Sequence, residues 1–144
     1  MKHRFIGTWR AVSWEFRPAL GEPHYPLGRD AMGMLIYSAD GHMAVSLMRP
    51  GRVPFESSAL FEGSAAEKLA AMDSYASYAG RYEIRGNKVI HHVDFSLFPN
   101  WTGTAQERFF KFEQGRLLLY TAPFVKDGME QAAYLLWEKV GTRL

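Results

Sequence analysis

Two adjacent histidines, His91 and His92, enter the run HHVDFSLFPNWTGT, and Gln106 and Arg108 follow a few residues later. Imidazole titrates near neutral pH and is the first candidate for moving a proton. A guanidinium such as Arg108, joined by a phenol such as Tyr82, presents donors to a carboxylate, a carbonyl or a developing enolate or phenolate. Glu15 is a second possible proton acceptor and a natural counter-ion for Arg108. These residue types admit two chemistries: holding the oxygen-bearing end of a small molecule, or moving a proton on it. Which applies depends on the elements that aim the side chains.

Neighbours on a strand point to opposite faces, so only one of the two histidines can enter a core. The turn Arg85-Gly86-Asn87-Lys88 sets a register in which Ile84 faces Val89, Tyr82 faces His91 and Arg81 faces His92. Charges at Arg81, Glu83, Arg85 and Lys88 mark the solvated face. The inner face then carries Tyr82, Ile84, Val89, His91, Val93 and Phe95, and His92 points outward. Around Gln114-Gly115 the same reasoning pairs Phe112 with Leu117 and Phe110 with Leu119, and turns Gln106, Arg108, Phe110 and Phe112 inward. An inward arginine calls for a partner, because burying an unpaired charge is costly. On the first strand, Trp9 inward implies Glu15 inward, unless a bulge turns Trp14 and Phe16 inward instead. Tyr37, Met48, Tyr134 and Trp137 are further possible lining residues.

The elements that carry these side chains are mostly strands. GTWRAVSWEFR from Gly7 reads as the first, followed by a loop rich in Pro and Gly. GMLIYS and HMAVSLM flank the hairpin signal Asp40-Gly41. Ser64 with Glu67 three residues on forms a capping-box signature, and the Ala-rich run after it reads as a helix closed by Gly80, with Leu69, Met72, Tyr75 and Tyr78 along one face. RYEIR, NKVIHHVDF, TAQERFFKFE, RLLLYTA and QAAYLLWEKV supply five more strands. Eight strands joined largely by hairpins predict an all-β fold, an eight-stranded antiparallel up-and-down barrel with one helix inserted after strand three; a sandwich is the alternative. Such a barrel is just wide enough to hold one small ligand.

Composition narrows the function. The 144 residues are enough for one domain with its own core, spanning 1–144. Seventeen basic and 15 acidic residues are interspersed and leave a formal charge of +2, which gives no nucleic-acid footprint. With no cysteine there are no disulfides or thiolate ligands. Histidines at 3, 24, 42, 91 and 92 show no metal-binding spacing, so neither metal nor cofactor is expected; haem on His91 alone is the one remaining route. No secretory h-region and no apolar run of membrane-spanning length is visible, so the expectation is a cytoplasmic protein without membrane attachment, a monomer or homodimer. An aromatic content of 15% suits strands around an apolar cavity.

The opening Gly7-Thr8-Trp9 resembles the G-x-W signature of lipocalins. The longer pattern, YPLGRDAMGMLIYSADGHMAVSLMRPGR, the Ala-rich helix, YAGRYEIRGNKVIHHVDFSLFPNWTGTAQERFF and the closing LLWEKV, resembles the bacterial and fungal lipocalin-like domain proteins over nearly the whole chain. That resemblance implies a closed antiparallel barrel around a small cavity and supports the fold more than any activity. The expected function is to bind a small, mostly apolar molecule whose carbonyl or carboxylate end meets Tyr82, His91, Gln106 and Arg108, with Phe110 lining the site and Trp101 over it as a lid. The alternative is an isomerase or cyclase in which His91 or Glu15 moves the proton in the same cavity.

Overall fold

The computed structural model describes residues 1–141. A short 3-10 turn, Lys2–Arg4, leads into β1 (Gly7–Pro18), followed by β2 (Met32–Tyr37), β3 (His42–Met48), α1 (Ala65–Asp73), β4 (Tyr75–Arg85), β5 (Lys88–Ser96), β6 (Ala105–Glu113), β7 (Arg116–Tyr120), β8 (Phe124–Lys126) and β9 (Met129–Lys139). Neighbouring strands pair antiparallel in chain order, and β9 returns to β1 from Trp9↔Lys139 to Pro18↔Gln131, closing the barrel. The short β8 adds no stave. It pairs with the same edge of β9 as β7 does, further along, because Pro123 lacks the N–H that one continuous strand would need. At the break, Thr121 stands in for the ladder: its backbone N–H donates to Ala133 O at 3.0 Å, and its Oγ1 accepts from Ala133 N–H at 2.9 Å.

The hairpin expectations hold. Arg85↔Lys88, Ile84↔Val89, Tyr82↔His91 and Arg81↔His92 are in register, as are Phe112↔Leu117 and Phe110↔Leu119. Gln114 (φ 51°) and Gly115 (φ 76°) are both left-handed, the pair of conformations a tight twisted hairpin requires.

Two bulges alter the faces. In β1 the register with β9 shifts between Ala11 and Ser13, so Trp9 and Ala11 face in, and beyond the bulge Trp14 and Phe16 do. Glu15 is thereby turned outward, contrary to the expectation that it faces Arg108, and its carboxylate pairs with Arg17 at 2.7 Å. Between β4 and β5 the register shifts after Gly80↔Val93, leaving Asp94 as the extra residue. Phe95, expected inside, is therefore 73% exposed, and Ser96 takes the inward place opposite Tyr78. Gly80 makes this bulge possible: a Cβ there would lie 1.9 Å from the His92 carbonyl oxygen.

The helix has the expected capping box, with Ser64 Oγ accepting from the Glu67 N–H and the Glu67 carboxylate accepting from the Ser64 N–H. It ends at Asp73, however, not at Gly80. Tyr75 to Gly80 instead pair with Met48 to Met43, because the sheet edge offered by β3 outweighs the helix propensity of the alanines. Leu69 and Met72 stay largely exposed, and no residue of α1 is buried.

One end of the barrel is plugged by the N-terminal segment. Phe5 is fully buried and meets Tyr37, Phe110 and Phe112 edge-on at 5.4, 4.9 and 4.9 Å, while the Trp9 indole N–H donates to Phe5 O at 2.8 Å. The opposite end stays open, ringed by the 19–31 loop, the segment around α1 and the 97–104 turn.

Candidate functional site

Above the plug lies a cavity of about 520 Å³. Its walls are mostly apolar: Trp14 and Phe16 from β1, Leu35 from β2, Val45 and Leu47 from β3, Leu119 from β7, and Ala133, Leu135 and Trp137 from β9. Polar side chains enter from one side only, where Tyr78, His91, Gln106 and Arg108 arrive from the adjacent strands β4, β5 and β6. The ladder places His91 opposite Gln106 and Val89 opposite Arg108, so the pleat delivers imidazole, amide and guanidinium to one wall.

His91 is buried, and both its ring nitrogens are engaged. Nε2 meets the Tyr37 hydroxyl at 2.7 Å and Nδ1 meets the Tyr78 hydroxyl at 2.6 Å. Burial, helped by the positive charges of Arg108 and His92, pushes the His91 pKa down to about 3, so the ring is neutral. A neutral imidazole has one donor and one acceptor. Tyr37 is 1% exposed and has no other partner among the described residues, so its O–H must donate to Nε2; otherwise its proton would be buried without an acceptor. The ring is then the Nδ1–H tautomer, donating to Tyr78. Burial raises the pKa of both phenols, with Arg108 pulling the other way, so both stay protonated at neutral pH. Tyr78 accepts from His91 and keeps its own O–H free on the cavity wall.

Arg108 is half-buried, and among the described residues no carboxylate lies within ion-pair distance of it. Nη1 donates to the Glu107 carbonyl at 2.9 Å, and Nη2 reaches Gln106 Oε1 at 3.5 Å. Gln106 in turn donates to Thr104 Oγ1 at 3.0 Å. Beside Arg108 the wall opens: β6 meets β7 only from Phe109↔Tyr120 onward, so Ala105–Arg108 pair with β5 alone and a gap forms next to Thr121 and Ala122.

The expected site residues separate accordingly. His91, Gln106, Arg108 and Trp101 line the cavity, and Trp101 packs edge-on against Tyr78 at 5.7 Å, at the open end. Tyr82 does not reach the cavity: its hydroxyl donates to Ser38 O at 2.7 Å, and its ring packs on Tyr37 in the base. Phe110 belongs to the plug with Phe5 and Phe112. Glu15 lies outside the barrel. His92 also faces out, bonded to Glu83 at 2.7 Å, which holds that carboxyl below its ordinary range. Of the further lining possibilities, Trp137 lines the cavity, Tyr37 lies behind His91, and Tyr134 stacks on Tyr120 outside. The residue the sequence reading missed is Tyr78, hidden in the stretch read as helix. Its signal was the Tyr-x-x-x-Tyr spacing from Tyr78 to Tyr82, two inward positions apart on a continuous strand.

A closed barrel around an apolar cavity, with donors clustered on one wall, defines a small-molecule binding protein of the calycin-like kind. The chain belongs to the lipocalin-like domain family, whose model matches residues 6–140. It is 36% identical over 107 residues to the 4'-hydroxy-3'-methoxypropiophenone carrier protein ppsC of Aspergillus oryzae, an alignment covering 68% of this chain and 96% of that one. A crystal structure of an uncharacterized protein from Bacteroides eggerthii aligns over 93% of this chain and 98% of its own, at 10% identity and a TM-score of 0.48. Family and relative together support a small-molecule binding role. Among the described residues no helix is long and apolar enough to cross a membrane.

Proposed function

We propose that this barrel is a cytoplasmic carrier for a small aromatic molecule with an oxygen acceptor, an aryl ketone or an aryl carboxylate, held by Arg108 and Tyr78. The observation that carries this reading is Arg108, a guanidinium on the cavity wall with no carboxylate partner, beside a phenol whose proton is free. A ligand carbonyl or carboxylate would supply the acceptor that both donors lack. The apolar walls suit an aromatic ring, and the cavity is of ordinary size for a small-molecule site. The relative's name, a carrier of a phenolic aryl ketone, agrees with that chemistry.

The isomerase or cyclase reading is less well supported. A general base needs a pKa near the working pH, whereas His91 is pushed down to about 3 with both nitrogens occupied, and Glu15 lies outside. The same occupied nitrogens weigh against haem ligation by His91.

Titration with 4'-hydroxy-3'-methoxypropiophenone and with an aryl carboxylate, followed by calorimetry, tests the proposal. Saturable one-to-one binding that weakens about tenfold or more in Arg108→Gln is expected, in line with the loss of a charge-assisted hydrogen bond. Absence of binding to either class, or identical binding by the variant, would overturn it.

A further inference from the structure

Trp137 is 1% exposed, lines the cavity from β9, and has an indole N–H with no hydrogen-bond partner. Buried indole N–H groups ordinarily find an acceptor, and one left without costs stability. Trp137 contrasts with Trp9, whose N–H is satisfied by Phe5 O in the plug. Trp137 pairs with Leu117 and Ala11, on the wall formed by β7, β9 and β1, whereas Tyr78 and Arg108 come from β4 and β6. The cavity therefore carries donors on two different walls, with apolar residues such as Leu119 and Leu135 among them.

We propose that the Trp137 indole N–H is a second anchor, selecting ligands that carry an acceptor oxygen at the end remote from the carbonyl. This rests on the carrier reading and extends it: the preferred ligand is bifunctional, with its carbonyl at Arg108 and Tyr78 and a ring oxygen, as in an alkoxy or phenol group, at Trp137. A ligand of the same shape with carbon in place of that oxygen would leave the indole unpaired and bind less well.

The test compares 4'-methoxypropiophenone with its near-isostere 4'-ethylpropiophenone, measured by calorimetry on the full chain and on Trp137→Phe. The wild type is expected to favour the methoxy compound relative to the variant, the ratio of the two dissociation constants falling about fivefold on substitution, the size of one net hydrogen bond. Taking the ratio within each protein removes any general packing loss caused by the smaller ring. A second readout needs no substitution: the Trp137 Nε1–H proton resonance should move downfield with the methoxy compound and not with the ethyl one. An unchanged ratio together with identical indole shifts overturns the second anchor and leaves the carrier reading standing. Failure of the wild type to bind either ketone overturns both.

Discussion

Replacing His91 by glutamine should remove most of the acid sensitivity of folding between pH 7 and pH 5. The folded imidazole is pushed down to about 3, chiefly by burial, whereas in the unfolded chain it titrates near 6.5. Between those values the unfolded state binds a proton that the folded state refuses, so this contribution is complete above 6.5 and is lost as pH falls towards 3. The slope approaches about 1.4 kcal/mol per pH unit, and integrating it from pH 7 to pH 5 gives a loss of about 2 kcal/mol. The carboxylates with lowered pKa values, Asp40, Glu67, Glu83 and Glu138, act in the same direction but at lower pH, since their ordinary values are 3.8 to 4.5. Urea unfolding of wild type and His91→Gln at pH 7, 6 and 5 isolates the effect. The variant should be less stable at every pH, because at least one of the Tyr37 and Tyr78 hydroxyls loses its partner at a cost of about 1–3 kcal/mol, but its pH slope should be flatter by about 2 kcal/mol over the range. Parallel slopes would show that His91 takes up a proton in the folded barrel and would refute the tautomer assignment along with it.

Three other outcomes follow from the same geometry. Tyr78→Phe should weaken aryl-ketone binding about tenfold and lower stability by about 1–3 kcal/mol, because it removes a ligand donor and leaves the His91 Nδ1–H unpaired; calorimetry and urea unfolding read the two effects separately. Gly80→Ala should destabilise by about 2 kcal/mol or more, since its Cβ would collide with the His92 carbonyl and force the bulge to open, seen as a drop in melting temperature. Arg108→Gln should leave the unliganded barrel as stable as the wild type or more so, while abolishing most of the thermal stabilisation that an aryl ketone gives, measured as the ligand-induced shift in melting temperature.

Much of the barrel is legible in the sequence because hairpins are local. Arg85-Gly86-Asn87-Lys88 and Gln114-Gly115 each fix a register within a few residues, and alternating charge then names the solvated face. That is enough to bring His91, Gln106 and Arg108 to one wall. Bulges leave no such local mark. The extra residue near Val12 in β1 and Asp94 in β5 each reverse the faces beyond them, which sends Glu15 and Phe95 outward and Trp14, Phe16 and Ser96 inward. The pleat rule extrapolated past a bulge is wrong at every later position on that strand. The limits of α1 were hidden for a different reason. AAEKLAAMDSYASYAG has helical composition throughout, and only the long-range ladder with β3 converts its second half to strand, which is how Tyr78 escaped notice. Tyr82 shows a third limit: its inward face was read correctly, but depth along the barrel axis depends on the N-terminal plug, which no hairpin register contains.

The polar wall has a consistent sign. Tyr37 spends its proton on His91, His91 spends its proton on Tyr78, and Tyr78 is left with a proton and no acceptor, beside Arg108 and across the cavity from Trp137. Every group at the end of a chain of hydrogen bonds is a donor, and the one amide that could accept, Gln106, is already turned towards Arg108 and Thr104. Unmet donors in an apolar cavity cost stability, and a core selected for stability alone would satisfy them or replace them with carbon. Their retention on the lining makes the protein's own acceptor deficit the basis of recognition: oxygen acceptors on an aromatic frame complete it, and ligands whose polar groups only donate do not.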